Sequence, residues 1–309
     1  MTLQTRLRIG TRGSKLAIVQ AEEVRTRLRR THGMSDADIE IVTITTTGDR
    51  IRDRPLAEIG GKALFTKEIE EALVESAIDL AVHSIKDMPA VLPNGLVIGA
   101  LLPRQDPRDA LVSPVAARIG DLPKDALVGS SSVRRQAQLK RMRPDLTLVP
   151  IRGNVDTRLA KLDRGEVSAT LLACAGLKRL GLSHRITAPI ETEEMLPAIA
   201  QGAIGIEMRD NDEHLQSLLK AIDDYPTGIA VSCERAFLAA LDGSCRTPIA
   251  GHAVLAGDTI HFRGEALTLD GAFSFTVESH GHIGDAVRLG REAGEEVKAK
   301  GGDKLTLGG

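Results

Sequence analysis

Residues 80–89 read Leu-Ala-Val-His-Ser-Ile-Lys-Asp-Met-Pro. The apolar 80–83 segment is a short buried strand that runs into a charged loop broken by Pro89. The same grammar recurs on either side of it. Upstream, a strand at 7–9 enters the turn 10–13. Ser14 can then cap a helix whose Ala17, Ala21, Val24 and Leu28 form one buried stripe. Residues 39–47, rich in Ile, Val and Thr, read as a second strand, followed by a polar loop, 48–62, in which 48–61 is a candidate lid. The spacing of Ile69, Leu73 and Ala77 predicts a helix over 66–77. Short buried strands separated by amphipathic helices predict a largely parallel sheet and an α/β fold.

Downstream, the Pro- and charge-rich stretch 103–108 reads as a hinge, after which the alternation restarts. Strands at 127–129, 146–151 and 169–173 each run into a helix, the second of which spans 155–164 and closes at Gly165. A second crossing near Gln201 would return the strand 203–208 and the helix 213–222 to the first domain. From 227 the character changes to a helix over 229–241, an exposed turn at 242–248, and three strands punctuated by Gly257-Asp258 and Asp270-Gly271. A last helix covers 285–298, and residues from 301 read as a frayed tail. The expected domains are 1–102 with 203–222, then 103–202, then a small α+β domain at 223–309.

Composition narrows the function. The 309 residues carry 40 Lys+Arg against 42 Asp+Glu, so no basic field draws nucleic acid. Aromatic residues are 2% of the chain, which argues against a base-stacking platform. No apolar run approaches the roughly 18 residues of a membrane span. No secretory signal is visible, and three cysteines without C-x-x-C spacing fit a reducing cytoplasm.

Cations recur at the carboxyl ends of the expected strands. Arg12 follows the first, Lys86 follows 80–83, and Arg134 and Arg135 open the helix after 127–129. Arg152 follows 146–151, with Arg158 one turn into the next helix. Ligands bind at that edge of an open α/β sheet, and Arg grips carboxylate or phosphate through paired hydrogen bonds. Between 131 and 158, seven basic residues stand against two acids. Lys140, Arg141 and Arg143 read as a solvated face. Arg12, Arg134, Arg135 and Arg152 are expected to contact a small ligand with several anionic groups.

Other residues keep two readings. The run Ser130-Ser131-Ser132 either offers hydroxyls and N–H groups to an anion or caps the helix that follows. Asp87 either serves a cationic intermediate and its protons or forms a structural Asx-turn. His83 reads as a hydrogen-bonded core residue. Cys174 and Cys233 behave as small buried hydrophobes. Cys245, in a turn beside Arg246, is either an accessible nucleophile or an incidental surface thiol. No P-loop, G-x-G-x-x-G or paired-histidine pattern is present, so no metal site is argued.

These segments together resemble the hydroxymethylbilane synthases, or porphobilinogen deaminases. The carriers are Ile9-Gly10-Thr11-Arg12-Gly13-Ser14, Gly60-Gly61-Lys62-Ala63-Leu64-Phe65, and Ala81 through Pro89. Asp106-Pro107-Arg108-Asp109-Ala110, Gly129 through Gln136 and Arg152-Gly153-Asn154-Val155 add to them. So do Ala173 through Gly181, Gln201-Gly202-Ala203, and Glu234 through Pro248. Ser244 departs from the family's usual second Gly, and Glu58 stands where some members have Lys; no role is carried onto Glu58.

The resemblance implies two periplasmic-binding-protein-like α/β domains around a cleft, plus a C-terminal domain with a three-stranded antiparallel sheet. It implies a transferase that joins four porphobilinogen molecules head to tail with loss of ammonia, on a dipyrromethane cofactor held by a thioether at Cys245. Asp87 matches the family's catalytic carboxylate. Arg12, Ser14, Lys86, Ser131, Ser132, Arg134, Arg135, Arg152 and Arg158 map onto carboxylate-binding positions. Lys62, Phe65 and Gln201 would line the cleft, Phe65 either stacking near a pyrrole or packing in the core. The resemblance favours a monomer in the cytoplasm with no nucleic-acid or membrane partner. Two rival readings are a solute-binding module and nucleic-acid binding through 131–158. The C-terminal domain and Cys245 weigh against the first, and net charge and scarce aromatics against the second.

Overall fold

The computed structural model describes residues 6–50, 64–243 and 247–305. In chain order the elements begin with β1 (Leu7–Arg12), α1 (Lys15–His32), β2 (Ile39–Ile44), α2 (Thr47–Arg50) and α3 (Lys67–Val74). Next come β3 (Leu80–Ser84), β4 (Leu96–Leu101), β5 (Asp109–Val112), β6 (Leu127–Gly129), α4 (Val133–Met142) and β7 (Thr147–Val149). Then follow α5 (Val155–Asp163), β8 (Ala169–Ala173), α6 (Cys174–Arg179), β9 (Ala188–Ile190), β10 (Ile204–Arg209) and α7 (Glu213–Lys220). The chain ends with α8 (Tyr225–Ala240), β11 (Ile249–Ala256), β12 (Thr259–Leu267), β13 (Ser274–His282) and α9 (Ala286–Gly301). They form two compact units. One holds 6–50, 64–105 and 203–228; the other holds 106–202 and the described residues from 229 on.

The first unit is built on a sheet of order β2-β1-β3-β10-β4. β1 runs parallel to β2 and β3, while β10 runs antiparallel to β3 and β4. Alternation along β3 divides its two faces. Leu80 and Val82 pack with Ala21, Val24 and Leu28 of α1, while Ala81 packs with Ile69 and Leu73 of α3. The second unit repeats the plan with order β7-β6-β8-β5-β9, where β5 is antiparallel to both neighbours. Beside it stands the antiparallel sheet β11-β12-β13, whose hairpins turn at Gly257 (φ +59°) and Gly271 (φ +71°).

The α/β architecture and the three-stranded sheet match the sequence reading, but the two larger sheets are mixed rather than largely parallel. Of the antiparallel strands, β10 corresponds to the expected strand 203–208, whereas β5 and β9 are short or interrupted: β5 has four residues and β9 three, with Pro189 at its centre. The expected helix 66–77 stops at Val74, where Ser76 takes a left-handed φ of +57°. The expected strand 39–47 stops at Ile44 because Thr47 begins α2.

Within the second unit α9 lies backbone-close to α8. A Cβ on Gly290 would stand 2.0 Å from the Cys233 carbonyl oxygen, so only hydrogen fits there. Gly290→Ala is expected to cost about 1–3 kcal/mol through forced separation of the two helices. Urea unfolding checks this, and an unchanged midpoint would contradict the packing.

Candidate active site

β3 carries the opening decapeptide to the carboxyl end of the first sheet, where a single 3-10 turn, Ile85–Asp87, follows it. Ile85 is buried and donates its N–H to Ala203 O at 3.1 Å, which anchors the turn and leaves Lys86 and Asp87 half-buried. Asp87 lines a small hollow within this unit, together with Arg12, Ser14, Gln20, Phe65 and His83. Among the described residues its carboxylate has no hydrogen-bond or ion-pair partner, so its charge is available to whatever occupies the hollow.

The other site residues of this unit are engaged internally. Arg12, expected to face a ligand, clasps Asp49 of α2 through Nη2–Oδ1 at 2.5 Å and Nε–Oδ2 at 3.2 Å. Its Cζ lies 4.1 Å from the centroid of Phe65, so that ring stacks on a guanidinium. Burial opposes ionisation of Asp49, but hydrogen bonds and charge from Arg12 outweigh it and hold the carboxyl below the usual range. Ser14 caps α1, its Oγ accepting from Ala17 N–H at 3.3 Å. A cap of that kind leaves the hydroxyl proton to donate elsewhere.

In the second unit the expected anion ligands divide into two groups. Arg134 and Arg135 are 4% and 6% exposed, and both close on Asp109, which is fully buried at the start of β5. Arg135 donates from Nη2 to Asp109 Oδ1 at 2.7 Å, and Arg134 Nη1 lies 2.8 Å from Oδ2. Gln201, expected at the cleft lining, is buried here and donates from Nε2 to Asp109 Oδ1 at 2.9 Å. Burial disfavours the Asp109 charge, but the charges of Arg134 and then Arg135 overcome it and hold the carboxyl well below the ordinary range. One carboxylate between two guanidiniums leaves a positive charge over.

Arg152 and Arg158 form the second group, half-buried at the end of β7 and in α5. Arg158 Nε donates to Gly153 O at 2.9 Å, around a glycine whose φ of +111° excludes most side chains. Ser131 donates to Ile151 O at 2.8 Å, and Ser132 caps α4 by accepting from Arg135 N–H at 3.4 Å. Sequence reasoning missed Asp109, although an acid opening the apolar run Asp-Ala-Leu-Val signals a buried cationic partner.

Of the three thiols, burial pushes Cys174 up to about 11 and Cys233 up to about 12, which leaves both inert. Cys245 and Lys62 lie outside the described residues, as do residues 51–61 of the candidate lid.

Comparison with known proteins bears on this arrangement. A family model described as "Porphobilinogen deaminase, dipyromethane cofactor binding domain" matches residues 7–217, and one for the C-terminal domain of the same enzyme matches 229–299. A curated porphobilinogen deaminase from Nitrobacter hamburgensis is 55% identical over 297 residues, 96% of this chain and 94% of that one. Among solved structures, a TRAP periplasmic solute binding protein from Desulfovibrio salexigens gives a TM-score of 0.44 at 13% identity, covering 73% of each chain. A periplasmic substrate-binding protein of an ABC transporter from Coxiella burnetii gives 0.43 at 15% identity, over 72% of this chain and 93% of that one.

Proposed function

The chain belongs to the porphobilinogen deaminase family and carries out the hydroxymethylbilane synthase reaction, and from that premise we propose which of its residues do the work. The reaction joins four porphobilinogen units with loss of ammonia and releases a linear tetrapyrrole. Asp87 is the catalytic carboxylate. As ammonia leaves the aminomethyl group of the substrate, positive charge develops on that pyrrole, and a negative group in a half-buried hollow stabilises it strongly. The same carboxylate accepts the proton that the attacking ring gives up. The observation that carries this assignment is the partnerless carboxylate of Asp87 in its hollow.

The residues present fit a dipyrromethane, which is a polycarboxylate. The surplus positive charge at Asp109 and the half-buried Arg152 and Arg158 supply the complementary field. Arg158, Arg152, Lys86 and the hydroxyls of Ser14, Ser131 and Ser132 hold carboxylate arms. Arg12, Arg134 and Arg135 do so by sharing their donors with Asp49 and Asp109. Lys62, Phe65 and Gln201 border the bound chain. When attached through Cys245, the group supplies the pyrrole end onto which the first substrate is joined. Cys245 is the attachment thiol because burial disables the other two. Among the described residues no helix is long and apolar enough to cross a membrane. The family resemblance is what favours a monomer in the cytoplasm.

Intact-mass spectrometry of the purified protein tests the attachment. An adduct of two pyrrole units is expected on the wild type and its absence in Cys245→Ser. An adduct that survives the substitution removes Cys245 from the proposal.

A further inference from the structure

Behind the hollow lies a cluster of titratable side chains that the roles above leave unused. His83 is on β3 and Glu207 on β10, where His83 pairs in register with Gly205, so the two side chains meet diagonally on one face of the sheet. The ring Nε2 of His83 lies 3.0 Å from Glu207 Oε2, with the two side chains 4% and 0% exposed. Gly205 on β10 makes room for Ile85, since a Cβ there would stand 2.0 Å from Ile85 Cδ1. On the same face α3 brings in Glu70, which is 6% exposed. Burial raises the Glu70 carboxyl against a hydrogen bond with Thr66, with Glu207 adding to the rise and His83 opposing it, so it holds its proton more readily than a surface glutamate. Among the described residues, Oε1 of Glu70 and Oε1 of Glu207 are both buried without a hydrogen-bond partner. Such carboxylates are expensive unless protons neutralise them.

Of the other polar groups around His83, the uncharged Thr66 before α3 also lines the hollow. β1 contributes Arg12, neutralised by Asp49 of α2. α1 contributes the uncharged Gln20, whose Nε2 donates to Ser84 Oγ at 2.8 Å. The turn after β3 contributes Lys86 and Asp87. His83 and Asp87 line the same hollow, so the charge of the buried pair acts on Asp87 through a poorly screened interior.

We propose that His83 and Glu207 share one proton beneath the hollow, which keeps a second negative charge away from Asp87 and makes His83 a positioning residue for the condensation. The pair is neutral in either arrangement, with the proton on the ring or on the carboxylate. Without His83, the Glu207 charge stands uncompensated behind Asp87. A like charge nearby disfavours the ionised form, so Asp87 would then lose its charge at a higher pH than before. This inference rests on Asp87 being the catalytic carboxylate.

The test is kcat against pH for His83→Gln and for His83→Gln with Glu207→Gln. Each variant is first checked by intact mass for its pyrrole adduct, which reports folding and assembly independently of turnover. His83→Gln is expected to move the acid limb up by about one pH unit, with KM within about twofold. The double variant, in which the stranded charge is gone, is expected to return that limb to the wild-type position. A purely structural role for His83 predicts no such recovery. An unmoved limb in His83→Gln, or a double variant displaced like the single one, overturns the proposal. If His83→Gln does not accumulate, Glu207→Gln alone decides: the pair it replaces is neutral, so the limb is expected at the wild-type position, and a displaced limb overturns the proposal. Failure of the underlying assignment is distinguishable, because it would show as an active Asp87→Asn enzyme.

Discussion

Asp87→Asn is expected to lower kcat about a thousandfold while the protein folds and carries its pyrrole adduct as the wild type does. The size follows from removing one preorganised charge that faces the transition state, which costs on the order of 10²–10³ in rate, with the loss of the proton acceptor added to it. Folding is spared for a structural reason. Asparagine has the shape of aspartate, and the Asp87 carboxylate makes no described hydrogen bond or ion pair that the amide would forfeit. The turn itself is held by Ile85, through its buried side chain and its bond to Ala203 O. Steady-state kinetics with porphobilinogen, alongside thermal melts, separates the two effects. A kcat within tenfold of wild type would show that another group meets the cation.

Asp109→Asn is expected to act the other way, on stability before chemistry. Asp109 is fully buried between Arg134 and Arg135, and each guanidinium was desolvated on the strength of that one charge. Replacing it with a neutral amide strands both, and breaking a buried pair from one side costs about 3–5 kcal/mol. The same reasoning changes what Arg134→Leu or Arg135→Leu would report. Each would weaken the fold as well as ligand binding, because Asp109 loses a guanidinium and the backbone oxygen of Leu196 or Leu171 loses a donor. Urea unfolding of Asp109→Asn measures the cost, and a loss under 1 kcal/mol would mean that Asp109 carries little of the weight given to it here.

The alternation of strand and helix was legible because each period is local. The stripe Ala17, Ala21, Val24, Leu28 needs one helix to be seen, and Gly257-Asp258 and Asp270-Gly271 each need one hairpin. Strands β4, β5 and β9 were not legible, since their pairing is antiparallel to segments far along the chain, and β5 and β9 are also too short to show a pattern of their own. The site was read with the same asymmetry. Strand-end placement finds the arginines and Asp87, but not that Arg12 and Arg135 already hold carboxylates 37 and 26 residues away. A sequence shows which charges occur at an edge, whereas their counter-charges are set by three-dimensional neighbours.

The order β2-β1-β3-β10-β4 has a consequence for biosynthesis. Strands β3 and β4 leave the ribosome long before β10, which must slot between them, so each shows an unpaired inner border while the intervening hundred or so residues are made. A nascent chain stopped just before Ile204 would therefore present two sticky apolar ribbons, a natural point for chaperone capture.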